Sequence, residues 1–385
     1  MPRPHRIDRL GAVLSAAGAL ALIFLPFVYF KSNRIVPGDP RGLIDVLPAW
    51  AALVCYGTLI LVGLAALGMS NARVRLGAAL LGIVAVAMAV AAAGDALTPA
   101  GNQVVRVAPG ASFWVLLMAL GLMATDAMTR MRLGPGARVL ALICFFAVAG
   151  LAFAHGMFDN LSIMREYAVN ADRFARELRQ HVLLALGSLL AAVIVALPVG
   201  ILCHRVPRLR GGILGTLNLI QTIPSIALFG ILMVPLGALA TAVPLAAELG
   251  IRGIGAAPAV AALFLYSLLP IVANTAAGLK RVSPAAVEAA RGMGMTSWQI
   301  LAGVELVLAL PVILTGIRIV LVQNIGLVTI AALIGGGGLG AFVFQGIGQT
   351  AIDLVLLGAI PTVAFAFSAA VVLDALVEVM DRAKR

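Results

Sequence analysis

The residues best placed for specific chemistry lie between Lys280 and Pro311, and that chemistry is recognition rather than bond-making. Ser283 suits a helix N-cap and Pro284 the first helical position. Ala285-Ala286-Val287-Glu288-Ala289-Ala290 continues as helix, and Gly292 and Gly294 interrupt it. Thr296 and Gln299 have the spacing of a capping box that restarts it. The pattern predicts two short helices at an angle, whose small Ala and Gly residues let another protein surface come close. A lone glutamate in a loop is ordinarily a solvated acid. Glu288 is distinguished by the arrival of Ala289, Ala290 and Gly294 with it.

Reactive chemistry is poorly provided for. The chain holds no Gly-x4-Gly-Lys-Ser/Thr stretch that would cradle a phosphate. Gly335–Gly340 is followed by Ala341 and reads as a flexible or tight turn at a span end. The four histidines include no ligand-spaced pair, and no nucleophile–base set is present. Cys55, Cys144 and Cys203 lie in or at the ends of apolar runs and read as buried small hydrophobes, not as a disulfide framework. No catalytic residue, cofactor site or metal site is expected. Asn218, Gln221, Asn274, Arg318, Gln323 and Asn324 fall inside apolar runs, where polar groups are costly and mark function by default. The amides read either as pathway lining, with Pro224 and Tyr266 beside them, or as hydrogen bonds between helices. Arg318 is expected to reach the interface or pair with an acid.

These residues must be held by a lipid-embedded scaffold. The 385 residues are 62% hydrophobic and only 11% charged. A soluble domain would carry about a quarter charged residues. The apolar excess must face lipid, so the expected class is all-α, a polytopic bundle. Apolar runs long enough to cross lie near 10–30, 48–69, 76–93, 111–129, 137–156, 182–203, 213–236, 257–279, 309–334 and 352–377, ten in all. The first is longer than a signal-peptide core, and Lys31-Ser32-Asn33 offers no cleavage site, so it reads as a retained span. With the amino terminus inside, most lysines and arginines fall in inside segments, including Arg3, Arg6, Arg9, Arg73, Arg75, Arg130, Lys280, Arg281, Lys384 and Arg385. Acids largely offset the remainder outside, so both termini are expected in the cytoplasm. Trp50 and Trp114 fall at outer span ends. The net charge of +11 is explained by this topology. Scattered over short loops, it forms no stripe for nucleic acid.

Three regions follow. Residues 1–156 give five spans with few polar residues. Residues 157–181 carry Met164, Tyr167, Ala171, Phe174 and Leu178 at helical spacing among charges, predicting an amphipathic helix at the outer surface. Residues 182–385 give five spans rich in Pro, Gly, Asn and Gln. Such breaks are tolerated at membrane depth only against protein or a wet cavity, which marks this as the working half.

Glu288-Ala289-Ala290 followed by Gly294 resembles the signature loop of permease subunits of binding-protein-dependent ABC importers. In that family the loop, here 280–308, couples the permease to its ATPase. The family pattern continues with an aliphatic residue, any residue, Leu and Pro. Here Val304, Glu305 and Leu306 fit, but Val307 stands where Pro is expected, which puts the entry into the next span in doubt. Gln221-Thr222-Ile223-Pro224-Ser225, Tyr266-Ser267-Leu268-Leu269-Pro270 with Asn274, and Ile334-Gly335-Gly336-Gly337-Gly338-Leu339-Gly340 are similar to the osmoprotectant branch, which imports glycine betaine, choline and related quaternary amines. The resemblance covers about residues 180–380. It implies a type I importer core in the bacterial inner membrane, ABC ATPase subunits that bind the ATP, a second permease subunit, and a periplasmic solute-binding protein. From residue 182 onward only Trp298 and Tyr266 could build an aromatic cage, so selectivity is expected to rest with the binding protein. The alternatives are an ion-coupled secondary transporter, which would need embedded acids that these spans hardly provide, an ABC permease for another small solute such as an amino acid, and a scaffold or sensor without transport.

Overall fold

The computed structural model describes residues 8–34, 36–68, 71–102 and 104–382. Arg3, Arg6, Lys384 and Arg385, counted above for orientation, lie outside the described residues. The chain divides into two compact units, residues 1–134 with 143–169, and 135–142 with 170–385. Among the described residues nine helices are long and apolar enough to cross a membrane.

The first unit opens with α1 (Arg9–Phe24), capped by the Asp8 carboxylate, which accepts the Gly11 N–H at 2.8 Å. The expected span over 10–30 ends here. Pro26 offers no N–H and forces the preceding residue out of the helical region, and Leu25 is extended at ψ 145°. The remaining apolar residues form β1 (Val28–Lys31), which pairs antiparallel with β2 (Asp39–Arg41) and β3 (Arg106–Pro109) in the order β2-β1-β3. Val28 stands opposite Arg41 on one side and Pro109 on the other. The all-α expectation is amended by this small sheet. The other elements are α2 (Leu43–Val46), α3 (Ala49–Gly68), α4 (Ala72–Leu97) and α5 (Ala111–Arg130). Phe27, Val28, Val62, Val86, Leu116 and Met123 fill their common core.

One end of this unit is closed by four charges in a ring. Arg75, whose side chain is 1% exposed, reaches Asp8 at 2.9 Å and Asp126 at 3.1 Å. Arg130 reaches the same two carboxylates at 2.6 and 2.8 Å. Burial pushes the Asp8 carboxyl up, but the Gly11 N–H and the guanidiniums of Arg75 and Arg130 outweigh it and hold its pKa at about 2.

α6 (Pro135–Ala154) begins in the second unit and ends in the first. It carries Cys144, which is exposed rather than buried as expected, while Cys55 and Cys203 are buried. α7 (Ser162–Arg205) is one helix of 44 residues, about 66 Å long at 1.5 Å per residue. The amphipathic segment expected as a separate surface helix is its first half. No Gly or Pro interrupts the chain between Met157 and Leu186, so the hydrogen-bond ladder runs on into the apolar run. The stripe residues Phe174 and Leu178 pack on Leu339, Phe342 and Leu354, so protein, not lipid, covers them.

The expected span 213–236 is two helices, α8 (Pro207–Thr222) and α9 (Ser225–Ala242), broken at Ile223-Pro224. Then follow α10 (Pro244–Glu248), α11 (Ala256–Lys280), α12 (Pro284–Gly292), α13 (Ser297–Ile300), α14 (Leu306–Ala331), α15 (Gly340–Gly348) and α16 (Ile352–Arg382). α7, α11 and α14 bury Leu184, Ala192, Leu263, Ile271, Val320 and Ile325 in one core, against which Phe365 and Leu373 of α16 pack.

Candidate functional site

The 280–308 segment folds as two short helices and an irregular entry to α14. Pro284 occupies the first turn of α12 as expected. Ser283 has the extended N-cap backbone, but its side chain makes no capping bond. α12 ends on Gly294, whose φ of +83° is open to glycine with little strain. Its N–H donates to Arg291 O at 3.0 Å, and the Met295 N–H donates to Ala290 O at 3.2 Å. This pair of bonds is a Schellman ending, so the spacing from Glu288 to Gly294 is one helical turn plus its reversal. The Thr296–Gln299 capping box forms, with the Thr296 N–H donating to Gln299 Oε1 at 2.8 Å.

Glu288, Ala289 and Gly294 are exposed, and Ala290 turns inward to anchor the helix at 1% exposure. Met293 and Trp298, at 76% and 73% exposed, add two large apolar side chains to the same short segment. Pairs of exposed apolar groups on a capped, preformed turn suit docking to another protein. A cavity of about 360 Å³ lies behind α12, lined by His204, Lys280, Val287, Glu288, Arg291 and Glu305 among others.

Entry to α14 runs through a π-turn, Leu301–Glu305, in which the Leu306 N–H reaches back five residues to Leu301 O. Where the family pattern has a proline, this chain carries Val307 and breaks the i→i−4 ladder with the extra residue instead. The turn presents Glu305, which is buried and ion-paired to Arg205 at the end of α7. Neither residue is singled out by sequence pattern; the missing proline is the one trace of this joint.

The pathway candidates divide. Pro270 lacks the N–H that would donate to Tyr266 O four residues earlier. Gln221 supplies the replacement, its Nε2 donating to Tyr266 O at 2.8 Å. In return the Tyr266 hydroxyl donates to Ile223 O, the carbonyl at the α8–α9 break. Two proline breaks are thus stapled to each other, with Tyr266 buried. Pro224 makes the break and caps α9. Asn324 is fully buried and its Nδ2 donates to Ser188 Oγ at 3.1 Å and Ser267 Oγ at 3.0 Å, tying α14 to α7 and α11. Asn274 folds back onto Pro270 O at 2.8 Å. Gln323 is half-buried and Asn218 exposed. Arg318 ion-pairs with Asp374, and one turn further along α16 Glu378 takes Arg138. Among the described residues no cluster of three or more His, Cys, Asp or Glu could hold a metal ion.

Proline-broken apolar helices and an exposed, glycine-terminated helix pair define a polytopic helical membrane protein with a preformed turn on its surface. The chain belongs to the family of binding-protein-dependent transport system inner membrane components, whose model matches residues 189–385. Residues 8–164 match the amino-terminal domain of the ABC transporter permease YehY. The osmoprotectant import permease protein OsmW of Salmonella typhimurium is 47% identical over 191 residues, covering 50% of this chain and 84% of that protein. The carnitine transport permease protein OpuCB of Listeria monocytogenes is 40% identical, covering 47% of this chain and 76% of the relative. The glycine betaine/carnitine/choline permease protein OpuCD of Bacillus subtilis is 37% identical, covering 57% and 89%. A chain of the inward-facing MetNI methionine ABC transporter aligns at 21% identity with a TM-score of 0.47, covering 54% of this chain and 95% of that one.

Proposed function

We propose that this chain is the permease subunit of an ATP-driven importer for a compatible solute, namely glycine betaine, choline or a related quaternary amine. The single observation that carries the coupling role is the Glu288–Gly294 turn, preformed, exposed and closed by a glycine-dependent reversal. The relatives, named as osmoprotectant, carnitine and glycine betaine/carnitine/choline permeases, support the solute class. ATP binds a separate ATPase pair, which docks on Glu288, Ala289, Gly294 and the neighbouring Met293 and Trp298. A second permease subunit completes the pathway, and a periplasmic binding protein delivers the solute. Both termini and the 280–308 segment face the cytoplasm. When the ATPase pair closes, α12 and α13 move with it, and the π-turn passes the displacement to α14. Opening and closing of the pathway follow from that movement.

The test is uptake of radiolabelled glycine betaine by proteoliposomes holding the chain, its ATPase and its binding protein. The double variant Glu288→Ala, Gly294→Ala loses ATP-driven uptake while the chain still inserts and folds. Full uptake by that variant would refute the coupling role. Uptake without the ATPase that collapses with an ion gradient would replace an ATP-driven importer with an ion-coupled one.

A further inference from the structure

α14 ends in a short 3-10 turn, Ala332–Ile334, and the chain then crosses Gly335–Gly340 to reach α15. Gly335, Gly337 and Gly338 have φ of 77°, 74° and 84°. Such a run has no side chains with which to hold its own shape, and glycine loses the most freedom on being ordered. Its first turn is closed on α14, with the Gly335 N–H donating to Ala332 O at 3.1 Å and the Gly336 N–H to Ala331 O at 3.0 Å; the stretch beyond is held by one face of α7. The Gly338 N–H donates to Glu177 Oε2 at 2.7 Å, and Gln180 Nε2 donates to Gly336 O at 3.2 Å. His181 is fully buried between the loop and α14: its Nδ1 accepts the Leu339 N–H at 3.2 Å and its Nε2 faces Ile325 O at 2.9 Å. One partner is solely a donor and the other solely an acceptor, so the ring is neutral with its proton on Nε2. A second proton, on Nδ1, would face the Leu339 N–H and break the contact.

The grip matters because α14 is a single helix of 26 residues, about 39 Å long. The π-turn stands at one end and the glycine loop at the other. A displacement delivered at Glu305 turns α14 about its far end only if that end is held in place. We propose that Glu177, Gln180 and His181 are positioning residues of the transport cycle, holding the outer end of α14 through the glycine loop. This rests on the permease reading above. Around the same grip Arg173 faces Glu177 Oε1 at 3.9 Å, donates to Gln345 of α15 and lies over the Phe342 ring. α14 presents a carbonyl, and α16 presents the edge of Phe365, with Asp353 at its start.

The test uses the full assembly in proteoliposomes, with glycine betaine uptake measured. Deuterium exchange over residues 335–342 is followed in the same samples. His181→Gln can still donate to Ile325 and accept from Leu339. It keeps wild-type uptake and wild-type exchange of the loop. Glu177→Ala and His181→Phe raise exchange of the loop and lower uptake by about tenfold, roughly what losing one hydrogen bond of ordinary strength is worth. Glu177→Gln, which keeps an acceptor oxygen, stays near wild type, and basal ATP hydrolysis is unchanged in all. Wild-type uptake in Glu177→Ala, or wild-type exchange in both weakened variants, overturns the anchor. Uptake in His181→Gln as low as in His181→Phe overturns the hydrogen-bonding role of the ring. If the wild type takes up no glycine betaine, the solute assignment fails, and the exchange comparison still decides the anchor.

Discussion

Gln221→Leu removes the side-chain donor aimed at Tyr266 O, a carbonyl that Pro270 has already deprived of its helical partner. Leucine is close to glutamine in size, so packing changes little and the loss is mainly that of one hydrogen bond. An acceptor left without a donor costs about 1–3 kcal/mol. Hydrogen bonds between membrane helices average nearer 0.6 kcal/mol, so about 1 kcal/mol is expected, some fivefold in the unfolding constant. Pro270→Ala restores an N–H at position 270, which donates to Tyr266 O along the helix. In that background Gln221→Leu should cost only a few tenths of a kcal/mol, leaving an interaction energy of about 1 kcal/mol in the double-mutant cycle. The assay is equilibrium unfolding of the purified chain in mixed detergent micelles with increasing SDS. Equal costs of Gln221→Leu in the two backgrounds would refute the staple, because the amide would then be acting somewhere other than on the carbonyl orphaned by Pro270.

Asn324→Ala unties α7 and α11 from α14 and should cost about 1–2 kcal/mol at about 0.6 kcal/mol or more for each of two interhelical bonds, more than Ser188→Ala or Ser267→Ala, since Asn324 makes both cross-helix bonds and each serine takes part with it in only one; detergent unfolding compares the three. Asp8 has a folded pKa of about 2 against an ordinary 3.8, so its contribution to stability is complete above the unfolded value and is lost as pH falls from there through about 2. Thermal melts should be flatter between pH 4 and 2 in Asp8→Asn than in the wild type, and identical slopes would contradict the role of the charge ring.

Much of this architecture is readable from composition. A run of about 20 apolar residues has few fates, and most expected spans lie within a few residues of a helix. The failures have physical causes. Leu10–Phe30 is one apolar run, but a buried strand and a span have the same composition, and only Pro26 marks the division. The 157–181 segment has a helical period, but charge pattern shows which face is polar and not where a helix stops, and the helix runs on to Arg205. The local shape of the 280–308 segment is the most legible part, since the Thr296–Gln299 box and the left-handed Gly294 are local chemistry, although the Ser283 side chain makes no cap. The amides were the least legible. Gln221, Tyr266 and Asn324 find their partners across helices, and a sequence does not display which carbonyl a distant proline has left bare. The contacts of His181 and Glu177 are hidden from the sequence for the same reason: their partners include backbone atoms of a featureless glycine run.

The three-stranded sheet in the first unit is finished at both margins. Its β2 margin is Asp39-Pro40-Arg41, where an imino acid and two charges deny a newcomer a continuous row of donors. Beside β3, Val107 is already bridged in parallel to Leu161. A visiting protein therefore has little chance to extend this sheet by adding a strand of its own. Whatever meets that surface must read side chains, so charge reversals at Lys31 or Arg41 are a more informative probe of a partner there than any change to the backbone.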